Sequence, residues 1–395
     1  MMARKLLASF RCQNIDGSHM KKIKLAVVIP TFNRVEKLKV ALQSIEAQII
    51  DSSIELHCVI SNTASTDETG IFLDTLKSNE KITYHILNKL EKNIWLNGLR
   101  CIELIPSNID WVWFHGDDDY LAMSDSIQIV ANQILDPLNI NVTLIHACQA
   151  RRSRESGNVH CGNLLELCNA IGYHEMLGWM SSLVVKRERF VPGLLKYYIK
   201  CEEINNPKDY LKLGLSAFMH SSALLEACIN DQAVFIDLPL IEPQDKEQDS
   251  LSIQRWIEAE TGQRYYLIID DLLNLKEKGF INDNLTPTFF RYLNYSLWDR
   301  LLDAIIASVI TKGFITDINR ENLLRIKKIS TLIGNPYDKK IFTQHYHSIE
   351  EALENYELSV KVIKIKAKQL EGHLDLVRTA SYPFKVLGNG GSILG

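Results

Sequence analysis

The sequence predicts an α/β protein: a sheet of parallel strands in the first part of the chain, followed by a mainly helical region. Three observations lead there. Short β-branched runs alternate with helically periodic segments from Ile23 to Phe114, turn residues fall between them, and strand signals nearly vanish after Ser252.

The elements follow in order. Ile23 to Ile29 is an apolar run stopped by Pro30, and Val35 to Ile49 carries apolar residues at helical spacing. The pair recurs as Ile54 to Ile60 with a helix near Glu68 to Lys77, then as Ile82 to Leu87 with Leu96 to Ile105, ahead of Trp111 to Phe114. Such alternation builds right-handed β-α-β units, and ligands of these sheets bind beyond the carboxyl ends of the strands. The loops after Ile29, Ile60, Leu87 and Phe114 therefore matter most. Farther on, Ser124 reads as the cap of a helix ending at Leu135 and Val142 to His146 as a strand, followed by an irregular stretch. Trp179 to Val185 reads as a strand leading into a helix, Asp209 to Cys228 as helical, and Ala233 to Leu238 as a last strand ending at Pro239. Tyr265 to Lys278, Phe289 to Thr311, Glu321 to Ile333 and Ser348 to Leu370 are amphipathic and helical. This divides the chain into a leader (1–19), an α/β domain (20–250), a helical region (251–387) and a disordered tail (388–395). Gly17-Ser18-His19-Met20 reads as a cloning remnant before a start at Met20.

Composition narrows the function classes. The 395 residues are 46% hydrophobic and 23% charged, with a net charge of -4, ordinary values for a globular protein. Duplex DNA is disfavoured as the ligand, and no nucleic acid is expected as a partner. The eight cysteines include no C-x-x-C pair, which reads as a reduced, cytosolic setting. No apolar run is long enough to span a bilayer.

Chemistry concentrates after Trp111-Val112-Trp113-Phe114, where His115 and Gly116 lead into Asp117, Asp118 and Asp119. Adjacent carboxylates repel and raise one another's pKa, so three at the end of a buried strand point to a divalent cation that neutralises them. In an extended segment Asp117 and Asp119 share a face while Asp118 points elsewhere. The competing reading is a solvated acidic turn. Arg151-Arg152-Ser153-Arg154 is either a diphosphate contact or a solvated basic loop.

Val27-Val28-Ile29-Pro30-Thr31-Phe32-Asn33-Arg34, Ser61-Asn62-Thr63-Ala64-Ser65-Thr66-Asp67, Asn93 and the Gly116 to Asp119 segment together resemble family 2 glycosyltransferases. The resemblance covers about residues 23 to 240 and implies the GT-A fold. Gly-Asp-Asp-Asp and Gly178-Trp179-Met180-Ser181-Ser182 further resemble the O-antigen and capsule branch, including abequosyltransferase-like proteins. It implies a sugar-nucleotide donor whose diphosphate is bridged by Mn2+ or Mg2+ to the Asp cluster. Pro30, Thr31, Phe32, Arg34, Asn62, Asn93, Asp117 and Asp118 are then the nucleotide-side residues. Asp119 is the direct metal ligand, with Asp117 and His220 as further candidates. His220 equally fits a satisfied core histidine, and Trp179 either stacks on a sugar or belongs to the core.

One residue departs from the family pattern, because Asn62 stands where an Asp is usual. Asp only accepts at neutral pH, which suits the N3–H of uracil, whereas Asn both donates and accepts. A CDP sugar therefore enters beside UDP and dTDP sugars, unless Asn62 serves only the turn. Inversion, the family default, needs a general base, and Asp209, Glu202 and Glu203 lie in a suitable interval; each also fits an acidic helix entry.

The function expected from sequence is metal-dependent transfer of a sugar to an acceptor hydroxyl in bacterial surface polysaccharide synthesis. The acceptor is a glycan or lipid-linked glycan; the amphipathic faces of the helical region are explained first by packing against the transferase domain, and with a lipid-linked acceptor the region would also lie at the inner face of the membrane or form a homo-oligomer. Two other classes compete. A nucleotidyltransferase normally has a Gly-rich loop after the first strand, which Pro30 to Arg34 lacks. A non-catalytic sugar-nucleotide-binding protein would keep the sheet and bind without turnover.

Overall fold

The computed structural model describes residues 22–89, 93–150, 153, 156–206, 209–244, 259–291, 293, 297, 301, 316–337, 339–340, 342–344 and 346–347. Nine strands form one sheet: β1 (Ile23–Thr31), β2 (Ile54–Thr63), β3 (Ile82–Lys89), β4 (Trp111–Phe114), β5 (Asp119–Leu121), β6 (Val142–Gln149), β7 (Val159–Asn163), β8 (Leu183–Lys186) and β9 (Gln232–Pro243). Their order is β3-β2-β1-β4-β8-β6-β9-β5, with β7 also paired to β9. β1, β2, β3 and β4 are mutually parallel, as the alternation with helices requires. The sheet as a whole is mixed. β8 runs antiparallel to both β4 and β6, and β5 runs antiparallel to β9.

Helices α1 (Val35–Glu46), α2 (Thr69–Thr75) and α3 (Asn97–Leu104) connect the parallel strands, and α4 (Ser126–Leu135) follows β5. The stretch expected to be irregular holds β7, α5 (Leu164–Ile171) and α6 (Tyr173–Leu177). Its α5 begins at a capping box in which Asn163 and Glu166 satisfy each other's backbone. Then come α7 (Arg187–Tyr198), α8 (Asp209–Lys212), α9 (Met219–Cys228), α10 (Ala259–Glu277) and α11 (Asp317–Lys328).

Two boundaries differ from the sequence reading. Ser124 does not cap α4, which starts after Asp125; the Ser124 carbonyl instead accepts from the Ile49 N–H. Pro239 does not end the last strand. It lies where the β6–β9 register shifts between Ala147 and Gln149, an irregularity that tolerates a residue without an N–H. Arg151, Arg152, Arg154, Ser348 to Leu370, the leader and the tail lie outside the described residues, as does most of Phe289 to Thr311.

Alternation along β1 divides the core. Leu25, Val27 and Ile29 pack with Trp113, Leu38 and Leu42 on one face, while Ala26 and Val28 pack with Phe114, Leu99 and Leu224 on the other. The second cluster runs on into Ile268, Leu272, Phe290 and Ile326, so the helical region shares a core with the sheet. Gly98 is needed at the start of α3: a Cβ there would sit 2.2 Å from the Tyr198 ring. No helix among the described residues is long and apolar enough to cross a membrane.

Candidate functional site

The loop after β1 is shaped by Asn33, which adopts φ 51°, a left-handed conformation that Asn tolerates better than most residues. Its side-chain oxygen accepts from the Thr66 N–H at 2.7 Å, and its own N–H donates to Ser65 Oγ at 2.9 Å. The first two loops are thereby tied together. Beneath them, Asn97 at the start of α3 donates to the Thr31 carbonyl at 2.5 Å and accepts from Ser61 Oγ at 3.1 Å.

On this frame the β1 loop meets the Asp cluster. Thr31 Oγ1 donates to Asp117 Oδ2 at 2.8 Å, and one Arg34 nitrogen reaches Asp117 Oδ1 at 2.9 Å and Asp118 Oδ2 at 2.8 Å. The expectation that Asp117 and Asp119 act as one face is overturned here. Residues 117 and 118 form a turn, so the alternation of an extended chain does not pass through them. Arg34 instead clamps Asp117 with Asp118, and Asp119 opens β5.

Asp119 is held differently. It is 4% exposed, and its Oδ2 accepts from the Ser181 hydroxyl, which itself accepts from the Gly116 N–H at 2.8 Å. The Ser181 carbonyl is fixed in turn by the Trp113 indole at 2.7 Å. Burial, then the Asp118 charge, raises the Asp119 pKa to about 7, against the pull of Ser181 and Trp179. Burial also raises Asp117, although Arg34 opposes it. Gly116 leaves room for this crowding, since a Cβ there would lie 2.9 Å from Asp118 Oδ1, 3.1 Å from Asp119 Oδ2 and 3.2 Å from Ser181 Oγ.

The donor set fits a hard divalent cation. Asp118 Oδ1 and the Asp119 carboxylate converge on the Gly116 backbone, and Arg34 neutralises only Asp117 and Asp118. No three His, Cys, Asp or Glu residues among those described are grouped as a closed metal cage. One or two carboxylates completed by water and phosphate oxygens is the usual arrangement for Mg2+.

The remaining candidates separate. His220 is not drawn into a ligand set with Asp117 and Asp119. It is buried edge-on to Phe114 and Phe218, its Nε2 lies 3.3 Å from the Gly178 carbonyl, and burial lowers its pKa to about 4, all marks of a core histidine. Asn93 is not aimed at a nucleotide: its amide nitrogen donates to the Cys201 and Ile204 carbonyls at 3.2 and 2.7 Å, and its oxygen accepts from the Trp95 N–H. It thereby anchors the turn carrying Glu202 and Glu203, both exposed. Asp209 follows on this arm. Its carboxylate accepts from the Asn205 and Asn206 N–H groups at 2.9 and 3.0 Å and from Lys212 at 3.2 Å, and the Asn205 bond leads the causes that lower its pKa. Pro30 and Phe32 are partly buried in the β1 end and loop.

Asn62 is oriented by its neighbour. Asn88 spends its amide N–H groups on the Gly70 carbonyl at 3.0 Å and Asp74 at 2.9 Å, which turns its oxygen toward Asn62 Nδ2 at 2.9 Å. Asn62 Oδ1 is left buried without a hydrogen-bond partner. Ser181, Asn97, Asn33 and Asn88 were not identified as site residues from sequence, although Asn33 and Ser181 fall in the segments that carry the resemblance; the bonds that give them their roles close over 26 to 66 positions.

Residues 26–160 match the family model described as glycosyl transferase family 2. No curated protein sequence matches the chain. Among solved structures, S. aureus TarS 1-349 superposes with TM-score 0.51 at 12% identity, covering 89% of this chain and 93% of that one. The same protein in complex with UDP-GlcNAc gives 0.50 at 12% identity over the same shares. The mannosyltransferase PcManGT from Pyrobaculum calidifontis, in complex with GDP-Man and Mn2+, gives 0.41 at 12% identity over 93% of each chain, too low to carry an argument. The fold is the GT-A nucleotide-sugar transferase fold, and the residues that match the family model run from β1 through β6.

Proposed function

We propose that the protein is a glycosyltransferase that moves a sugar from a nucleoside diphosphate to an acceptor hydroxyl with the help of Mn2+ or Mg2+, in the synthesis of a bacterial surface polysaccharide. The observation that carries this reading is Asp119, a buried carboxylate at a strand end that is held by a hydroxyl and has no cationic partner among the described residues. Asp119 and Asp118 hold the metal, which supplies Lewis-acid stabilisation of the departing diphosphate when bound. Arg34 keeps Asp117 and Asp118 together, and Thr31 fixes Asp117 for the nucleotide.

The reaction forms a bond from the acceptor oxygen to the anomeric carbon as the bond from that carbon to the diphosphate breaks. The hydroxyl proton passes to a base and the electron pair leaves with the nucleoside diphosphate. Asp209, ionised and carried on the arm that Asn93 fixes, takes the proton, and its hydrogen bonds to the Asn205 and Asn206 N–H groups make it a weak base that acts once the acceptor displaces them. Asn62, with one N–H held by Asn88 and its oxygen buried without a partner, accepts the N3–H of a uracil or thymine as an Asp would, so UDP and dTDP sugars are favoured over CDP sugars. The acceptor is a glycan or lipid-linked glycan at the cytoplasmic face of the membrane.

Calorimetric titration of UDP, dTDP, CDP and GDP into wild type and Asp119→Ala, with Mn2+ and with EDTA, tests this. UDP or dTDP is expected to bind only with metal and only to wild type. Binding that ignores both the metal and Asp119 would return the Asp cluster to a solvated turn.

A further inference from the structure

The helical region contributes a cation near α8 and the start of α3. Arg264 lies near the start of α10, and its guanidinium carbon sits 3.4 Å from the centre of the Tyr210 ring. Tyr210 follows the candidate base Asp209 and meets Trp95 edge-on, with ring centres 6.1 Å apart. A continuous path links this stack to the carboxylates. Asp117 bonds Thr31, the Thr31 carbonyl accepts from Asn97, Trp95 precedes Asn97 by two residues, and Trp95 packs on Tyr210.

Arg325, the other half-buried arginine with an ion pair in this region, pairs with Asp270 at 2.9 Å, whereas no described carboxylate lies within ion-pair distance of Arg264. Its Nε is buried without a hydrogen-bond partner. Asp209, its neighbour along the stack, is occupied by Asn205, Asn206 and Lys212. Guanidinium donors match phosphate oxygens. A half-buried Arg264 whose Nε has no partner and whose charge faces no described carboxylate is costly unless a ligand completes it.

We propose that Arg264 binds a phosphate group carried by the acceptor, making this a transferase for phosphate-bearing acceptors whose recognition comes from the helical region. The proposal rests on the transferase reading above. It places the acceptor's charge on Arg264 beside Asp209, while the donor's diphosphate is handled at the Asp cluster.

The test is calorimetric titration of inorganic phosphate into wild type, Arg264→Gln and Arg264→Lys, each without nucleotide and with the nucleotide site saturated by UDP and Mg2+. Wild type is expected to bind phosphate in both states, Arg264→Gln to bind it about ten-fold more weakly, and Arg264→Lys to fall between them, with UDP affinity the same in all three. Four results overturn the proposal. Phosphate binding absent from wild type, or equal in wild type and Arg264→Gln, leaves Arg264 a packing group, with a lowered melting temperature its only signature. Phosphate binding that UDP abolishes, or UDP affinity falling with Arg264→Gln, assigns the cation to the donor. If no nucleotide binds wild type at all, the transferase reading fails separately, and the nucleotide-free titration still decides the role of Arg264.

Discussion

Two acidic pairs in this molecule are built alike and sit in different places. At the sheet edge, Asp118 faces Arg34 while Asp119 is buried against the Ser181 hydroxyl; in α10, Asp270 faces Arg325 while Asp271 is half-buried against the Ser222 hydroxyl, which also meets the Tyr173 hydroxyl at 3.1 Å. Burial raises both inner carboxylates to a pKa of about 7. A perturbed carboxylate therefore does not define a site by itself. The surroundings differ: Asp119 has two more carboxylates beside it and a glycine that leaves space, whereas Asp271 lies between packed helices of the shared core. The first arrangement gathers charge for a ligand, and the second consumes hydroxyl donors to join the helical region to the sheet.

The largest expected break in this parallel comes from Gly116→Ala. The added methyl meets Asp118, Asp119 and Ser181 within 3.2 Å, so the carboxylates must shift, and metal-dependent nucleotide binding should fall on the order of 100-fold while the fold survives. Titration of UDP with Mn2+ and a melting curve read both arms. Retained affinity would mean that this convergence holds no metal. Ser181→Ala should weaken the same binding by about ten-fold, whereas Ser222→Ala, its counterpart at Asp271, should leave nucleotide binding intact and destabilise the fold by about 1 kcal/mol. Equal effects of the two serine changes on binding would erase the distinction between the pairs.

The sheet edge was legible in the sequence because its chemistry is local. Strand, turn and carboxylates follow one another in Trp111 to Asp119, and β1 to β4 carry the periodicities that identify them. The clamp of Asp117 with Asp118 was not, since a two-residue turn breaks the alternation that an extended reading assumes. Ser181 stayed hidden although its Gly178 to Ser182 segment stood out, because its two bonds to the Asp loop close over 62 and 65 positions. The contacts of Asn93 and His220 were not legible for a related reason: an amide and an imidazole serve backbone carbonyls as readily as ligands, and only the fold shows which partner is near. The helical region was legible as helices and silent about its neighbours, so neither Arg264 on Tyr210 nor Asp271 under Ser222 could be read from periodicity.

The smallest effect separates the two inner carboxylates by pH. Each has a folded-state pKa near 7, above the usual carboxylate value, so the fold favours the protonated form. Their contribution to stability is fully present below the unfolded-state pKa, declines as pH rises toward 7, and is lost above it. The metal-free protein should therefore melt at a higher temperature at pH 5.5 than at pH 8, by about 2 °C for each carboxylate. Asp271→Asn keeps an acceptor for Ser222 and should remove one share of that dependence with or without ligand. The Asp119 share should vanish when Mn2+ and UDP are added, because a cation stabilises the ionised form in the folded state. Melting curves at the two pH values, for wild type and Asp271→Asn, with and without Mn2+ and UDP, give the comparison. If ligand removes none of the dependence that survives in Asp271→Asn, Asp119 is a packing carboxylate like its counterpart, and the difference between the two pairs lies only in their position.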